Sequence, residues 1–161
     1  MSDKVPMTPQ GYRLLQEELK RLESVDRYAI VKEIEVARAH GDLSENAEYH
    51  AAKEKQGLIE ARIRYVSDRV ARAQVIDSEG QDLERVRFGA TVVISDLESG
   101  DQNTYRIVGE DEADAKQGTI SVTSPVARAL LGREVDASVE LRVPKGTREV
   151  EIVDIRYESA E

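Results

Sequence analysis

Between Thr8 and Ala39 the apolar residues recur at helical spacing. Leu15, Leu19 and Leu22 are four and then three residues apart, which places them on one face of a helix. Near Asp26 the phase slips by one residue, and the stripe resumes at Ile30, Ile34 and Ala37. Such a stutter adjusts a supercoil without ending the helix. Thr8-Pro9 predicts the start, with threonine as N-cap and proline at the first helical position. A second stripe, Tyr49, Ala52, Gln56, Ile59, Ile63, Val66, Val70 and Ala73, alternates steps of three and four throughout. A heptad seam of this kind has to be buried against a partner, and the first helix supplies one. The short His40-Gly41-Asp42 stretch between them predicts an antiparallel pair, with glycine ending the first helix. With arms of roughly 30 residues the hairpin would be a rod of about 45 Å.

From Asp77 the periodicity changes. Ser78–Glu84 reads as a polar linker, followed by strand-like runs at Ala90–Ser95, Asn103–Val108, Thr119–Val122, Ser138–Val143 and Glu149–Tyr157. Val139, Leu141 and Val143 alternate with polar neighbours, as do Val150, Ile152 and, after Val153, Ile155. Ser99-Gly100-Asp101 and Pro144-Lys145-Gly146 supply turns. One short helix is predicted from Pro125 to Leu131, with Ser124 as N-cap and Gly132 beyond its end. The expected fold class is α+β. An N-terminal antiparallel coiled-coil hairpin occupies residues 1–77, its tip near 41–49. A small antiparallel β-sheet domain with one short helix occupies 78–161.

Charge narrows the function. The net charge is −9, and it is unevenly placed: residues 1–76 hold 13 basic and 13 acidic side chains, whereas 77–161 hold 10 and 19. An acidic second half is a poor match to free-standing DNA binding, which draws its affinity from a basic footprint. Another protein, met at a basic surface, is the better partner. There is no cysteine, which excludes disulfides, thiolate metal sites and cysteine nucleophiles. Neither an apolar leader nor a run approaching the ~18 apolar residues of a membrane span is present. A cytoplasmic protein without membrane contact is expected.

The chemistry concentrates at the predicted tip, Gly41-Asp42-Leu43-Ser44-Glu45-Asn46-Ala47-Glu48-Tyr49. Asp42 and Glu45 are three residues apart at a helix start, so their carboxylates can converge. Two readings stand. In one they form a capping box, with Asp42 as the cap and Glu45 reaching back to its amide. In the other they are an incomplete magnesium site, since Mg2+ often takes only one or two protein carboxylates. Two acids on a tip cannot close a site, but they can complete one elsewhere. His40 and His50, the only histidines, fit no common zinc spacing and are expected to be structural or solvated.

Met7-Thr8-Pro9-x-Gly11 and Ala37-Arg38-x-x-Gly41-Asp42-Leu43-Ser44-Glu45-Asn46-Ala47-Glu48-Tyr49-x-Ala51-Ala52-Lys53-Glu54 closely resemble the GreA/GreB family of bacterial transcript-cleavage factors. In the second half Phe88-Gly89-Ala90, Tyr105-Arg106-Ile107-Val108-Gly109, Glu112-Ala113-Asp114, Ile120-Ser121 and Ser124-Pro125-Val126-Ala127-Arg128-Ala129-Leu130-Leu131-Gly132 follow in order. The resemblance runs from about Met7 to Tyr157. It implies a C-terminal domain of FKBP-like fold that binds the rim of the RNA polymerase secondary channel. The coiled coil would enter that channel toward the nascent RNA 3′ end.

On this resemblance Asp42 and Glu45 would be acids donated to the polymerase active site, where they help hold a second Mg2+ for hydrolysis of backtracked RNA. The factor would be no enzyme by itself, and would carry no cofactor when isolated. Leu43, Ser44, Asn46 and Tyr49 match the tip as positioning residues, although Tyr49 also continues the seam and Asn46 can serve local backbone. Arg38 and Lys53 flank the tip as RNA-phosphate contacts or as solvated charges. Ser124, Pro125 and Arg128 match the polymerase-binding region, or simply start a helix well. The net-neutral hairpin suits the less basic of the family's branches, which gives shorter cleavage products. Alternatives are a channel-binding inhibitor without cleavage activity, a prolyl isomerase poorly supplied with aromatic residues, and a coiled-coil oligomerisation module. A monomer is expected.

Overall fold

The computed structural model describes residues 3–41, 45–78 and 83–157. Contacts divide the chain into two compact units, one of residues 13–72 and one of residues 3–12 together with the chain from Ala73 onward.

The first unit is the helical hairpin. Its first arm runs through α1 (Pro9–Arg21, which enters this unit at Arg13), a π-helical turn (Leu22–Asp26) and α2 (Arg27–Arg38), and its second is α3 (Ala47–Ala71). The π turn is the structural form of the phase slip. Arg27 N–H donates to the Leu22 carbonyl five residues back, so one extra residue fits into a single turn. Without it, each residue beyond would be rotated by about 100° from the seam. With it, Leu15, Leu22, Ile30 and Ala37 are all buried, as are Ala52, Ile63 and Val66 of α3. Leu19, Ile34, Tyr49, Gln56, Ile59 and Val70 are half-buried, so every seam position expected within these helices faces inward.

Ion pairs flank the seam. Arg62 donates to Glu18 at 2.6 and 2.8 Å, Arg27 donates to Glu60 at 2.8 and 2.9 Å, and Lys55 approaches Glu33 at 3.4 Å. Positions rise along one arm as they fall along the other, which is the antiparallel order. The hydrogen bond from Arg27 holds the Glu60 carboxyl below its usual range. Exposed pairs of this kind contribute more to register than to stability.

The seam ends earlier than its periodicity suggests. Ala73 is not helical: α3 stops at Ala71, and Ala73–Val75 form strand β2, paired in parallel with β1 (Val5–Met7). Neither strand was apparent in the sequence, because three residues carry too little alternation to register. Their pairing takes the first residues of the chain into the second unit.

Glu112 ties those first residues into the second unit. Its carboxylate accepts from the Thr8 and Gly109 backbone N–H groups, each at 3.0 Å, and from the Thr8 hydroxyl. Thr8 Oγ1 in turn accepts from Gly11 N–H at 3.1 Å, the capping bond of α1. Two glycines make room. A Cβ on Gly11 would overlap the Glu112 side chain, and one on Gly109 would lie 2.5 Å from the Pro6 carbonyl oxygen.

The rest of the second unit is a five-stranded sheet in the order β5-β4-β3-β7-β6. Its strands are β3 (Ala90–Asp96), β4 (Gln102–Val108), β5 (Thr119–Ser121), β6 (Ser138–Val143) and β7 (Gly146–Tyr157). The sheet is mixed rather than wholly antiparallel, because β5 runs parallel to β4. Residues 109–118 make the long return that a parallel neighbour requires. The broken alternation at Val153 is a bulge: β7 shifts register opposite Val93/Ile94, which leaves Val153 exposed while Ile152 and Ile155 are both buried. Helix α4 (Pro125–Leu130) lays Ala127 and Leu130 against a core that includes Val92, Ile94, Val139, Leu141 and Val150.

Three expectations follow from these contacts. Glu112→Ala strands the Thr8 and Gly109 donors and should lower the unfolding free energy by about 2 kcal/mol or more, read by denaturant titration. Gly57→Ala in α3 meets nothing within 4 Å, and should raise it by about 0.5–1 kcal/mol. Asp96 accepts from Arg148 at 2.8 Å and from the Ser99 and Glu98 amides, which pull its carboxyl down to about 2. Its folded-state pKa is depressed, so its contribution is complete above the ordinary carboxylate range and lost as pH falls. The stability difference between wild type and Asp96→Asn should therefore shrink between about pH 4 and about pH 2.

Candidate functional site

The site begins where the two arms of the hairpin end. Helix α2 runs to Arg38, and Gly41 follows at φ +110°, a backbone conformation that glycine takes without steric penalty. Asp42, Leu43 and Ser44 lie outside the described residues, and so does their share of the predicted tip. The described chain resumes at Glu45, which is exposed.

Helix α3 is capped by Asn46. Its backbone is extended, with φ −88° and ψ 96°, and its side-chain oxygen accepts from Tyr49 N–H at 3.0 Å. This corrects the capping-box reading, in which Asp42 was the cap and Glu45 its reciprocal partner. The helix starts four residues later than that reading needs, and Glu45 precedes the cap instead of occupying the third helical position. Glu45 has no capping role, and its carboxylate stands in solvent at the base of the tip.

Asn46 makes a second bond. Its side-chain N–H donates to the Ala37 carbonyl at 2.6 Å, across the tip in the last turn of α2. One short amide thus satisfies an orphan donor at the start of one arm and adds a second bond to the Ala37 carbonyl, which also accepts from His40 N–H at 3.2 Å. An asparagine just before Ala47-Glu48 is a recognisable cap signal, whereas nothing in the local sequence announces the bond to residue 37.

The other predicted tip residues are spread around this base. Tyr49 is half-buried in the seam, with its ring edge-on to His50 at 5.6 Å between centroids. Arg38 is exposed in the last turn of α2, and exposed Lys53 donates to Gln56 at 3.1 Å. His40 Nδ1 lies 3.5 Å from Glu48, a pair that attracts only when the imidazole is protonated. Beside the base, Val36, Ala37, Ala51 and Ala52 line an open groove of about 450 Å3, with Lys32 and Lys55 on its margin.

In the second unit Ser124 caps α4, its hydroxyl accepting from Ala127 N–H at 3.2 Å. Pro125 follows at the first turn and is exposed, as is Arg128. The structure brings Ser124, Pro125 and Arg128 together on one short helix and places Arg38, Glu45, Asn46, Tyr49 and Lys53 on the separate hairpin unit. Among the described residues no group of three or more histidine and acidic side chains is arranged to hold a metal, and no helix is long and apolar enough to cross a membrane.

Comparison with known proteins matches both units. The family model for the N-terminal part of the GreA/GreB transcription elongation factors covers residues 5–75, and the model for their C-terminal part covers 81–157. The transcription elongation factor GreA of Anaeromyxobacter sp. is 60% identical over 154 residues, covering 96% of this chain and 93% of that protein. GreA of Hyphomonas neptunium is 56% identical over 155 residues, covering 96% and 99%. A crystal structure of GreA factor homolog 1 of Thermus thermophilus is 29% identical and covers 95% of this chain and 99% of that one, with a TM-score of 0.44.

Proposed function

This chain belongs to the GreA/GreB family of transcription elongation factors, and from that premise we propose that it stimulates RNA polymerase to cleave backtracked transcripts. The hairpin tip enters the polymerase secondary channel and reaches the nascent RNA 3′ end. Exposed Glu45, excluded from the helix cap by Asn46, is the observation that carries this reading. A carboxylate held out of the cap at the end of a hairpin is available to an outside site.

Asp42 and Glu45 offer carboxylate oxygens, the donors that suit a hard ion such as Mg2+. Shared between polymerase and factor, such an ion supplies charge that favours water deprotonation and stabilises the leaving oxygen. The chain itself is not an enzyme in this reading. It contributes the two acids, while Leu43, Ser44 and Tyr49 set their placement and Arg38 and Lys53 meet RNA phosphate. Ser124, Pro125 and Arg128 hold the rim of the channel. The acidic balance of the second half suits a protein partner better than free DNA. The factor acts as a monomer in the cytoplasm.

The test is a backtracked elongation complex with 3′-labelled RNA, polymerase and Mg2+. The wild-type factor should release short 3′ fragments. Glu45→Gln keeps shape but loses charge, and should cut the cleavage rate by at least about tenfold, the loss of about 1.4 kcal/mol of transition-state stabilisation, with polymerase binding retained. Asp42→Asn should behave likewise. Wild-type binding without cleavage would instead identify a channel-binding inhibitor, and absence of binding would remove the reading altogether.

A further inference from the structure

We infer that the two ends of the Asn46 amide divide the work at the base of the tip: the oxygen stabilises helix α3, and the N–H bond to Ala37 positions Glu45. This deepens the cleavage reading above and rests on it. The oxygen accepts from Tyr49 N–H at 3.0 Å, a bond internal to the start of α3. The nitrogen donates to the Ala37 carbonyl at 2.6 Å, nine residues back on the other arm.

That second bond ties the start of α3, directly after the candidate acid Glu45, to the last turn of α2. Ala37 is buried in the seam, and its carbonyl also accepts from His40 N–H at 3.2 Å, which fixes the direction of the anchor. Glu45 is the residue immediately before Asn46, and its backbone direction is therefore set by where the amide is tied. The other strap across the base, His40 to Glu48 at 3.5 Å, is exposed and depends on protonation, so it is the weaker of the two. Alignment matters because a misplacement of about 1 Å in a reacting group can cost on the order of 10²-fold in rate.

The two functions separate chemically. Asparagine, aspartate and serine are comparable helix N-caps, so Asn46→Asp and Asn46→Ser retain the bond to Tyr49. Aspartate is acceptor-only and cannot donate to Ala37, and the serine hydroxyl is too short to span the tip. Agreement between these variants separates loss of the donor from the charge that aspartate introduces. Asn46→Ala removes both bonds.

The experiment measures cleavage in the backtracked complex as a function of factor concentration, together with the thermal midpoint of each free protein. At saturating factor, Asn46→Asp and Asn46→Ser should each cleave about tenfold or more slowly than wild type. The half-saturating concentration should change by less than about twofold, and the thermal midpoint should stay near wild type, whereas Asn46→Ala should lower that midpoint as well. Wild-type cleavage at saturation in both donor-deficient variants would overturn the inference and leave the cleavage reading intact. Failure of the wild type itself to stimulate cleavage would overturn that reading, and this inference with it.

Discussion

The hairpin depends on one constraint: each arm has an apolar stripe too narrow to be buried by anything except the other arm. Leu15, Leu22, Ile30 and Ala37 on one side, and Ala52, Ile63 and Val66 on the other, leave water only if the stripes stay in phase along the whole contact. The π turn at Leu22–Asp26 is a consequence of that demand. It absorbs one surplus residue within the helix, which costs less than letting the seam of α2 rotate into solvent. A hairpin kept in register delivers its two ends to a common place. That is what allows a single amide to reach both.

Polar side chains then close the places where regular structure stops. Asn46 serves the end of α2 and the start of α3. Glu112 serves the start of α1 and the turn at Gly109, while Thr8 relays one bond further to Gly11. In both cases a short side chain bonds several backbone groups where regular structure ends. Both also explain a local composition. Glycines at 11 and 109 make room for the Glu112 carboxylate and the adjoining backbone, and the capping role of Asn46 leaves Glu45 out of the helix.

The charge distribution fits this division. Along the hairpin, acids and bases are balanced, and several are matched across the arms, as in Glu18–Arg62, Arg27–Glu60 and Glu33–Lys55. An acid in such a pair is committed to register. Glu45 stands apart from these pairs, exposed immediately before the cap of α3.

Much of this was legible in the chain because it is local and periodic. The two helical stripes, the phase slip near Asp26, the Thr8-Pro9 and Ser124-Pro125 starts and the strand at Ser138–Val143 each follow from spacing within a few turns or residues. What only the tertiary structure decided is non-local. The pairing of β1 with β2, the parallel run of β5 beside β4, the Glu112 junction to Thr8 and the Asn46 bond to Ala37 all join groups whose partners are set by where the backbone has gone. Periodicity fixes which face of an element is apolar. It does not determine which orphan donor or acceptor a polar side chain will meet, and that choice moved the helix cap from Asp42 to Asn46.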